Sequence, residues 1–275
     1  MAKRSTGWSE EKFKRYIKEG RGQGEGKGYK PWLSIQDFPS KGRATRVLGL
    51  SSKRMHSFFS DIETKCFYLY DWNPNIIDVR EHYPLLEIED VIKDKRDINF
   101  NIFKDKETGY PYVLTTTFIL TVKDRDGNKK LIARSVKSSS ELDKKTTMEK
   151  LEIERRYWTS KNINWGIITQ KDIPSEKVKN IEWVHSSLHN YEDFNLTEKE
   201  MVELSSSFLD AAENSDKALR VFTKEFDMRT NQKLGTGLYI FKYLIAARII
   251  EVNMEQSIDL NATYRELINQ VENKR

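Results

Sequence analysis

Two stretches decide the fold: Leu131-Ile132-Ala133-Arg134-Ser135-Val136-Lys137 and, a little downstream, Met148-Glu149-Lys150-Leu151-Glu152-Ile153-Glu154-Arg155-Arg156-Tyr157-Trp158. The first reads as a short apolar strand that ends on a lysine, the second as a helix. Upstream, Val113-Leu114-Thr115-Thr116-Thr117-Phe118-Ile119-Leu120-Thr121-Val122 is the strongest strand of the chain, rich in β-branched residues. Asp126-Gly127 supplies the turn that makes a hairpin of these two strands. Residues 164–169 form a further strand, and the spacing of Phe59, Ile62, Cys66, Leu69 and Tyr70 predicts a helix over 58–72, closed by Pro74 and Asn75. Ile76-Ile77-Asp78-Val79-Arg80 follows as a strand. The order helix, strand, hairpin, helix, strand describes an α/β sheet of modest size. A strand-end lysine in such a sheet suits a nuclease that sets a cation beside a divalent metal. It is also a common solvated strand end.

The whole chain has 275 residues, 37% of them apolar and 32% charged, which describes a folded protein with a real core. No apolar run approaches the ~20 residues that span a bilayer, so no membrane role is expected. The segment Met1-Ala2-Lys3-Arg4-Ser5-Thr6-Gly7 lacks the apolar stretch of a signal peptide. A single cysteine, Cys66, excludes an internal disulfide and fits a reducing cytoplasm. The net charge of +5 suits a polyanionic partner.

A short amphipathic helix over 10–17 leads into Gly20-Arg21-Gly22-Gln23-Gly24-Glu25-Gly26-Lys27-Gly28, expected to be a mobile loop. Its Gly-x-Gly spacing follows no strand and so matches nucleotide-binding loops poorly. It reads either as a plain linker or as backbone that touches phosphates. Residues 87–111 are polar and expected to be irregular. After about Asp172 the character changes: 197–211, 215–225 and 236–252 read as helices, and Ile249-Ile250-Glu251-Val252-Asn253 could form a wing-like strand. The expected division is therefore 1–171 and 172–275.

Strand alternation puts Ser135 and Lys137 on one face, and the hairpin places Thr117 opposite them, so Glu63, Thr117, Ser135 and Lys137 are expected to converge on one cleft. Glu63 lies on the edge of the apolar stripe of its helix, either half-buried by accident or held there for a purpose. His185 and His189 have no third ligand nearby and read as a solvated pair. Glu149, Glu152 and Glu154 with Arg155 and Arg156 read either as contacts to the active site or a partner or, the preferred expectation, as ordinary i,i+4 pairing such as Glu152 with Arg156. Trp158 and Trp165 read as core, and Cys66 on its apolar stripe has no redox role.

The chain resembles the TnsA family, the endonuclease subunits of heteromeric cut-and-paste transposases. The resemblance rests on Ile17-Lys18-Glu19-Gly20-Arg21-Gly22-Gln23-Gly24, Tyr29-x-Pro31-Trp32-Leu33, Pro39-Ser40-x-Gly42-Arg43 and His56-x-x-x-Ser60-Asp61-Ile62-Glu63. Val79-Arg80-Glu81 with Pro84-Leu85-Leu86, the helix 149–158 and Asn180-Ile181-Glu182-Trp183 continue it over the N-terminal two-thirds. It implies a restriction-endonuclease-like catalytic domain and a C-terminal domain that engages DNA; the helices and wing-like strand read above make that domain mainly helical, with a winged helix as one form it could take. It further implies Mg²⁺, with Mn²⁺ as substitute, for cutting one strand of double-stranded DNA at transposon ends. A DDE transposase, TnsB, handles the other strand, and an AAA+ regulator, TnsC, binds the C-terminal domain.

Residue by residue, the resemblance makes Glu63 the helix acid and Lys137 the lysine of the active site, with Glu63 and position 117 as metal ligands. The expected aspartate is Thr117 here, and Ser135 stands where Gln or Glu is usual. A neutral hydroxyl replaces an anionic magnesium ligand poorly. Either this chain is a weakened or inactive nuclease, or another acid supplies the missing ligand; the alternative function is a non-catalytic structural subunit that binds DNA and the AAA+ regulator. Arg21, Lys27 and Arg43 are the DNA-binding candidates, and Lys242 and Arg248 on helix 238–248 the partner-binding ones.

Overall fold

A computed structural model of the chain describes residues 7–37 and 44–272. The chain divides into two compact units between Ile173 and Pro174. The first unit opens with helix α1 (Glu10–Lys18), then a separate antiparallel hairpin of β1 (Thr45–Leu48) and β2 (Met55–Phe58). Helix α2 (Asp61–Trp72) precedes β3 (Ile76–Pro84), and the short α3 (Ile88–Val91) precedes β4 (Thr115–Lys123) and β5 (Lys129–Val136). Helix α4 (Lys145–Ser160) then crosses over to β6 (Asn164–Ile168). The main sheet has the order β3-β4-β5-β6, with β6 parallel to β5 and the other pairs antiparallel. A crossover helix is what a parallel pair requires.

Helices pack on both faces of this sheet. On one, Phe118 of β4 meets Phe58 of β2 at 5.9 Å and the edge of Tyr70 of α2 at 5.3 Å. On the other, Ile153, Tyr157 and Trp158 of α4 share a core with Leu85, Ile119 and Ala133. Each fully buried aliphatic side chain there contributes about 1.5–3 kcal/mol.

The alternation of side chains breaks at one level of the sheet. Phe118 faces α2, yet Thr116, two residues away, reaches Glu154 and Trp158 on α4. On β3 the same happens between Glu81 and Tyr83, which face β2 and α4 respectively. His82 between them has φ 50, a left-handed conformation that is costly for a side chain with a Cβ. The pairs on either side, Glu81 with Phe118 and Tyr83 with Thr116, leave Thr117 across from His82, so Thr117 lies where the sheet changes face.

A buried ion network holds that level. Glu81 is completely buried and accepts hydrogen bonds from Arg54 and from His56 Nδ1 at 2.8 Å. Burial alone would raise its pKa, but these bonds and charges hold the carboxyl well below the usual carboxylate range. Tyr29 donates its hydroxyl to the Glu81 carbonyl at 3.0 Å, and Arg54 lies over the Tyr29 ring.

Tyr29 brings in the glycine-rich segment, which is a folded turn, not a mobile loop. Gly22 N–H donates to Lys30 O at 2.6 Å and Lys30 N–H to Gln23 O at 3.1 Å. Gly22 has φ 75, and a Cβ there would stand 2.2 Å from the Pro84 ring; only glycine fits. The 87–111 region is not wholly irregular either, because α3 and a 3-10 turn at Phe100–Phe103 lie within it.

The second unit is helical: α5 (Ser175–His185), α6 (Glu198–Glu213), α7 (Leu219–Arg229), α8 (Thr236–Ala246) and α9 (Tyr264–Glu272). Helix α8 is buried on nearly every side, as a central helix must be. Asp227 of α7 accepts from Gly235 N–H and Gly237 N–H at 2.7 and 2.6 Å, capping its start. The wing expected at 249–253 is absent: this segment is no strand. Ile250 and Val252 are buried instead, and the Asn180 amide of α5 donates to the Met254 and Gln256 carbonyls. A side chain thus provides bonds that a strand partner would.

The Glu81 network predicts a definite acid response. Because the folded-state pKa is depressed, its contribution is present above the ordinary value of 4.5 and is lost as pH falls below it. Glu81→Gln leaves Arg54 without its buried anion and should cost about 3 kcal/mol at neutral pH. Thermal melts from pH 7 to 3 should show the variant's deficit shrinking with acidification.

Candidate active site

The end of β5 is set by backbone bonds. Its parallel pairing runs to Val136 opposite Ile168, and Lys137 N–H donates to Ile168 O at 3.0 Å. The half-buried Lys137 side chain therefore leaves from a fixed point. Ser135 does share the α4 face, but it is fully buried and does not open into a cleft. Its hydroxyl donates to Glu154 Oε2 and accepts from Trp165 Nε1 at 2.9 Å. Thr116 repeats the arrangement: its hydroxyl donates to the same Glu154 oxygen at 2.9 Å and accepts from Trp158 Nε1 at 2.8 Å. An indole nitrogen only donates, so each hydroxyl passes its own proton on, and one carboxylate oxygen receives both.

Glu154 is the residue that sequence reasoning missed as an individual. Its signal is an acid three residues after Leu151 and four before Trp158, both buried, which places it on the apolar stripe of α4. Burial raises its pKa; the Ser135 hydroxyl, the Lys137 charge and the Thr116 hydroxyl oppose the rise without cancelling it. By contrast Glu152 pairs with Arg156 at 2.6 Å and Arg155 at 2.7 Å on the outer face, as its spacing suggests.

Thr117 departs from the expected geometry. Its Oγ1 accepts the Val136 N–H at 2.9 Å, in place of the next ladder bond between β4 and β5. The hairpin is expected to set it opposite Ser135 and Lys137; its hydroxyl turns instead along the sheet to the β5 backbone, at the level where β3 changes face.

Glu63 sits at the first turn of α2, where its N–H bonds the Ser60 hydroxyl at 3.2 Å. Its carboxylate accepts the Phe59 N–H at 2.8 Å, reaching back over the helix start. The Phe59 ring stacks on His82 at 4.4 Å. Glu63 is thus linked to the Thr117 level through Phe59 and His82, while Ser135 and Lys137 gather with Glu154. The thiol of Cys66, one turn after Glu63, is pushed up to about 12 by burial, with the negative charges of Glu63 and Asp172 adding to it. A protonated, buried thiol has no nucleophilic use.

Among the DNA-binding candidates, Arg21 is committed internally. Its guanidinium pairs with Asp37 at 2.6 Å, donates to Trp32 O and lies 3.6 Å over the Tyr16 ring. Lys27 is exposed at the tip of the glycine turn. Arg43 lies outside the described residues. In the second unit Lys242 is no positive tip: its Nζ stacks 4.4 Å from the Trp183 ring, and burial lowers its pKa. Arg248 is exposed just beyond α8 in a left-handed conformation.

The donors present do not make a magnesium site of the implied kind. Among the described residues no three His, Cys, Asp or Glu side chains are placed to share an ion. Thr117 is neutral and its oxygen holds a backbone amide, while Ser135 is committed to Glu154. His185 is buried and His189 half-buried, so the pair is not solvated as its spacing suggests; neither belongs to a metal-binding group among the described residues.

A strand-end lysine with acids on helices of both sheet faces belongs here to a mixed α/β protein. Residues 73–170 match the family described as TnsA-like endonuclease N terminal, and 172–254 that described as TnsA endonuclease C terminal. The chain is 35% identical over 279 residues to Transposon Tn7 transposition protein TnsA of Escherichia coli, covering 99% of this chain and 97% of that protein. It belongs to the TnsA endonuclease family. No helix among the described residues is long and apolar enough to cross a membrane.

The raised pKa of Glu154 has a testable sign. The unfolded chain releases this proton first, so stability is lost as pH rises above the ordinary 4.5. Glu154→Gln keeps an acceptor for both hydroxyls and removes that loss. It should match the parent at pH 4 and exceed it at pH 8, read as a higher melting temperature.

Proposed function

We propose that this chain is the end-cutting subunit of a Tn7-type transposase, working in the cytoplasm on double-stranded DNA at transposon ends, with its own cutting strongly weakened. In this reading a DDE transposase of the TnsB kind cuts and joins the other strand, and an AAA+ regulator of the TnsC kind engages the helical unit. Family membership supports the endonuclease class. The observation that carries the weakening is the Thr117 hydroxyl, a neutral oxygen already holding the Val136 amide.

The remaining residues keep parts of a cleavage site. Lys137 offers a positive charge at a fixed strand end, where it can oppose the charge of a DNA phosphate. Glu63 offers a carboxylate at a helix start. Glu154 holds the strand end and α4 together through the Ser135 and Thr116 hydroxyls, so it orders Lys137 through Ser135. Magnesium or manganese would bind weakly with a single placed carboxylate. A second reading, a structural subunit that binds DNA and the regulator without cutting, is favoured by the commitment of Ser135 to Glu154.

Thr117→Asp distinguishes the two readings. An aspartate can accept the Val136 N–H with one oxygen and leave the other free. One added charge at ligand distance is worth several kcal/mol at moderate dielectric, roughly tenfold in rate for every ~1.4 kcal/mol. We expect Mg²⁺-dependent nicking of transposon-end DNA, assayed with the partner transposase, to rise at least about tenfold. Glu63→Ala or Lys137→Ala in that background should abolish the gain. Full-rate cutting by the unaltered chain, with no gain from Thr117→Asp, would falsify the weakened-site reading. No cutting by either form would leave the structural-subunit reading standing.

A further inference from the structure

A groove between α3 and the segment leading into β4 takes no part in the chemistry above. A cavity of about 240 Å³ opens there over the buried side chains of Leu85, Phe103 and Ile153. A dry cavity of ~150 Å³ already holds benzene, so this one has room for a large apolar side chain. Three exposed acids, Glu87, Glu89 and Asp90, line the same groove. Among the described residues none of the three has an ion-pair partner. Two neighbouring cations are engaged elsewhere: Lys150 lies over the Phe103 ring at 5.6 Å, and Lys14 pairs with Glu10 at 2.7 Å.

An apolar hole beside uncompensated negative charge is an unusual pairing on a chain whose net charge is +5. It excludes nucleic acid, since carboxylates repel phosphates and no cation stands among them. A neutral hydrophobic ligand would fill the hole but leave the acids unused. The chemistry that satisfies both is a polypeptide with one large apolar residue flanked by lysines or arginines. The apolar anchor supplies affinity, and the charges supply orientation and rate of encounter.

We propose that this groove is a docking site for a basic peptide segment of a partner protein, anchored by one aromatic or large aliphatic side chain. The site is independent of DNA cleavage, because none of its residues belongs to the Glu63, Thr117, Lys137 and Glu154 group.

The test uses the full-length protein and a fluorescein-labelled synthetic decapeptide with one tryptophan flanked by lysines, followed by fluorescence polarisation. Binding should be saturable. Replacing the peptide's tryptophan with serine should weaken it at least about tenfold, the effect of losing one buried aromatic anchor. The combined variant Glu87→Gln, Glu89→Gln, Asp90→Asn changes only exposed side chains and should weaken it by about the same factor. Val113→Trp, which fills the groove from its wall, should do likewise. Melting temperatures and DNA binding should not change with the acidic triple variant. Unchanged peptide affinity in that variant, indifference to the tryptophan, or no saturable binding overturns the proposal. So does binding that emerges only after removal of residues 1–6, which would make the chain's own terminus the occupant.

Discussion

A carboxylate with no access to water must find its compensating charges inside the protein, and Glu81 imposes that condition on the first unit. Arg54 and His56 meet it, both from the turn and strand of the β1–β2 hairpin. Ser52 in turn bonds His56 Nε2 at 2.7 Å, and Asp71 of α2 accepts from Leu50 and Ser51 in the same turn. The hairpin is thereby tied to the sheet at one end and to α2 at the other. Removing either partner strands the other as a buried charge, a cost of several kcal/mol. The hairpin's two four-residue strands could not hold this position by ladder bonds alone.

The residue after Glu81 is His82, and its left-handed backbone follows from the same anchoring. With Glu81 held toward β2 and Tyr83 stacked against Trp158 of α4, the chain must change face within one residue. Thr117 lies across from that turn, so its environment is decided by β3 as much as by its own strand. An ordinary alternating strand would have set position 117 beside Ser135. The sheet here instead keeps one group on each side of the change, with Glu63 and Phe59 against His82 on one and Ser135, Lys137 and Glu154 on the other.

Elements with long, strong periodicity were legible in the sequence. Strands β4 and β5, their Asp126-Gly127 turn and helix α4 follow from β-branched content and helical spacing, and they fix the sheet. The β1–β2 hairpin was not legible, because Thr45–Leu48 and Met55–Phe58 are too short to show a period. The glycine turn looked mobile because glycine composition speaks for freedom; the packing of Gly22 on Pro84 is a tertiary fact. At the site, Lys137 was visible as a polar end to an apolar strand. Glu154 was hidden among Glu149 and Glu152, since composition cannot tell an inward acid from outward ones. Its place in the apolar stripe with Leu151 and Trp158 was the only mark. The wing failed for a different reason: Ile249-Ile250-Glu251-Val252 has β-branched content, but Ile250 and Val252 are buried without any strand pairing.

The twin indole bonds at Glu154 carry one more consequence. Trp158 and Trp165 each donate to a hydroxyl that donates to the same carboxyl oxygen. Two natural fluorophores are therefore wired, through one intervening oxygen apiece, to the group whose ionisation matters most at the strand end. Any event that changes the charge on that carboxyl, whether a proton lost or a cation arriving, alters the hydrogen bonding of both rings at once. The protein carries its own optical gauge of the site, readable in unlabelled solution and free of any substrate.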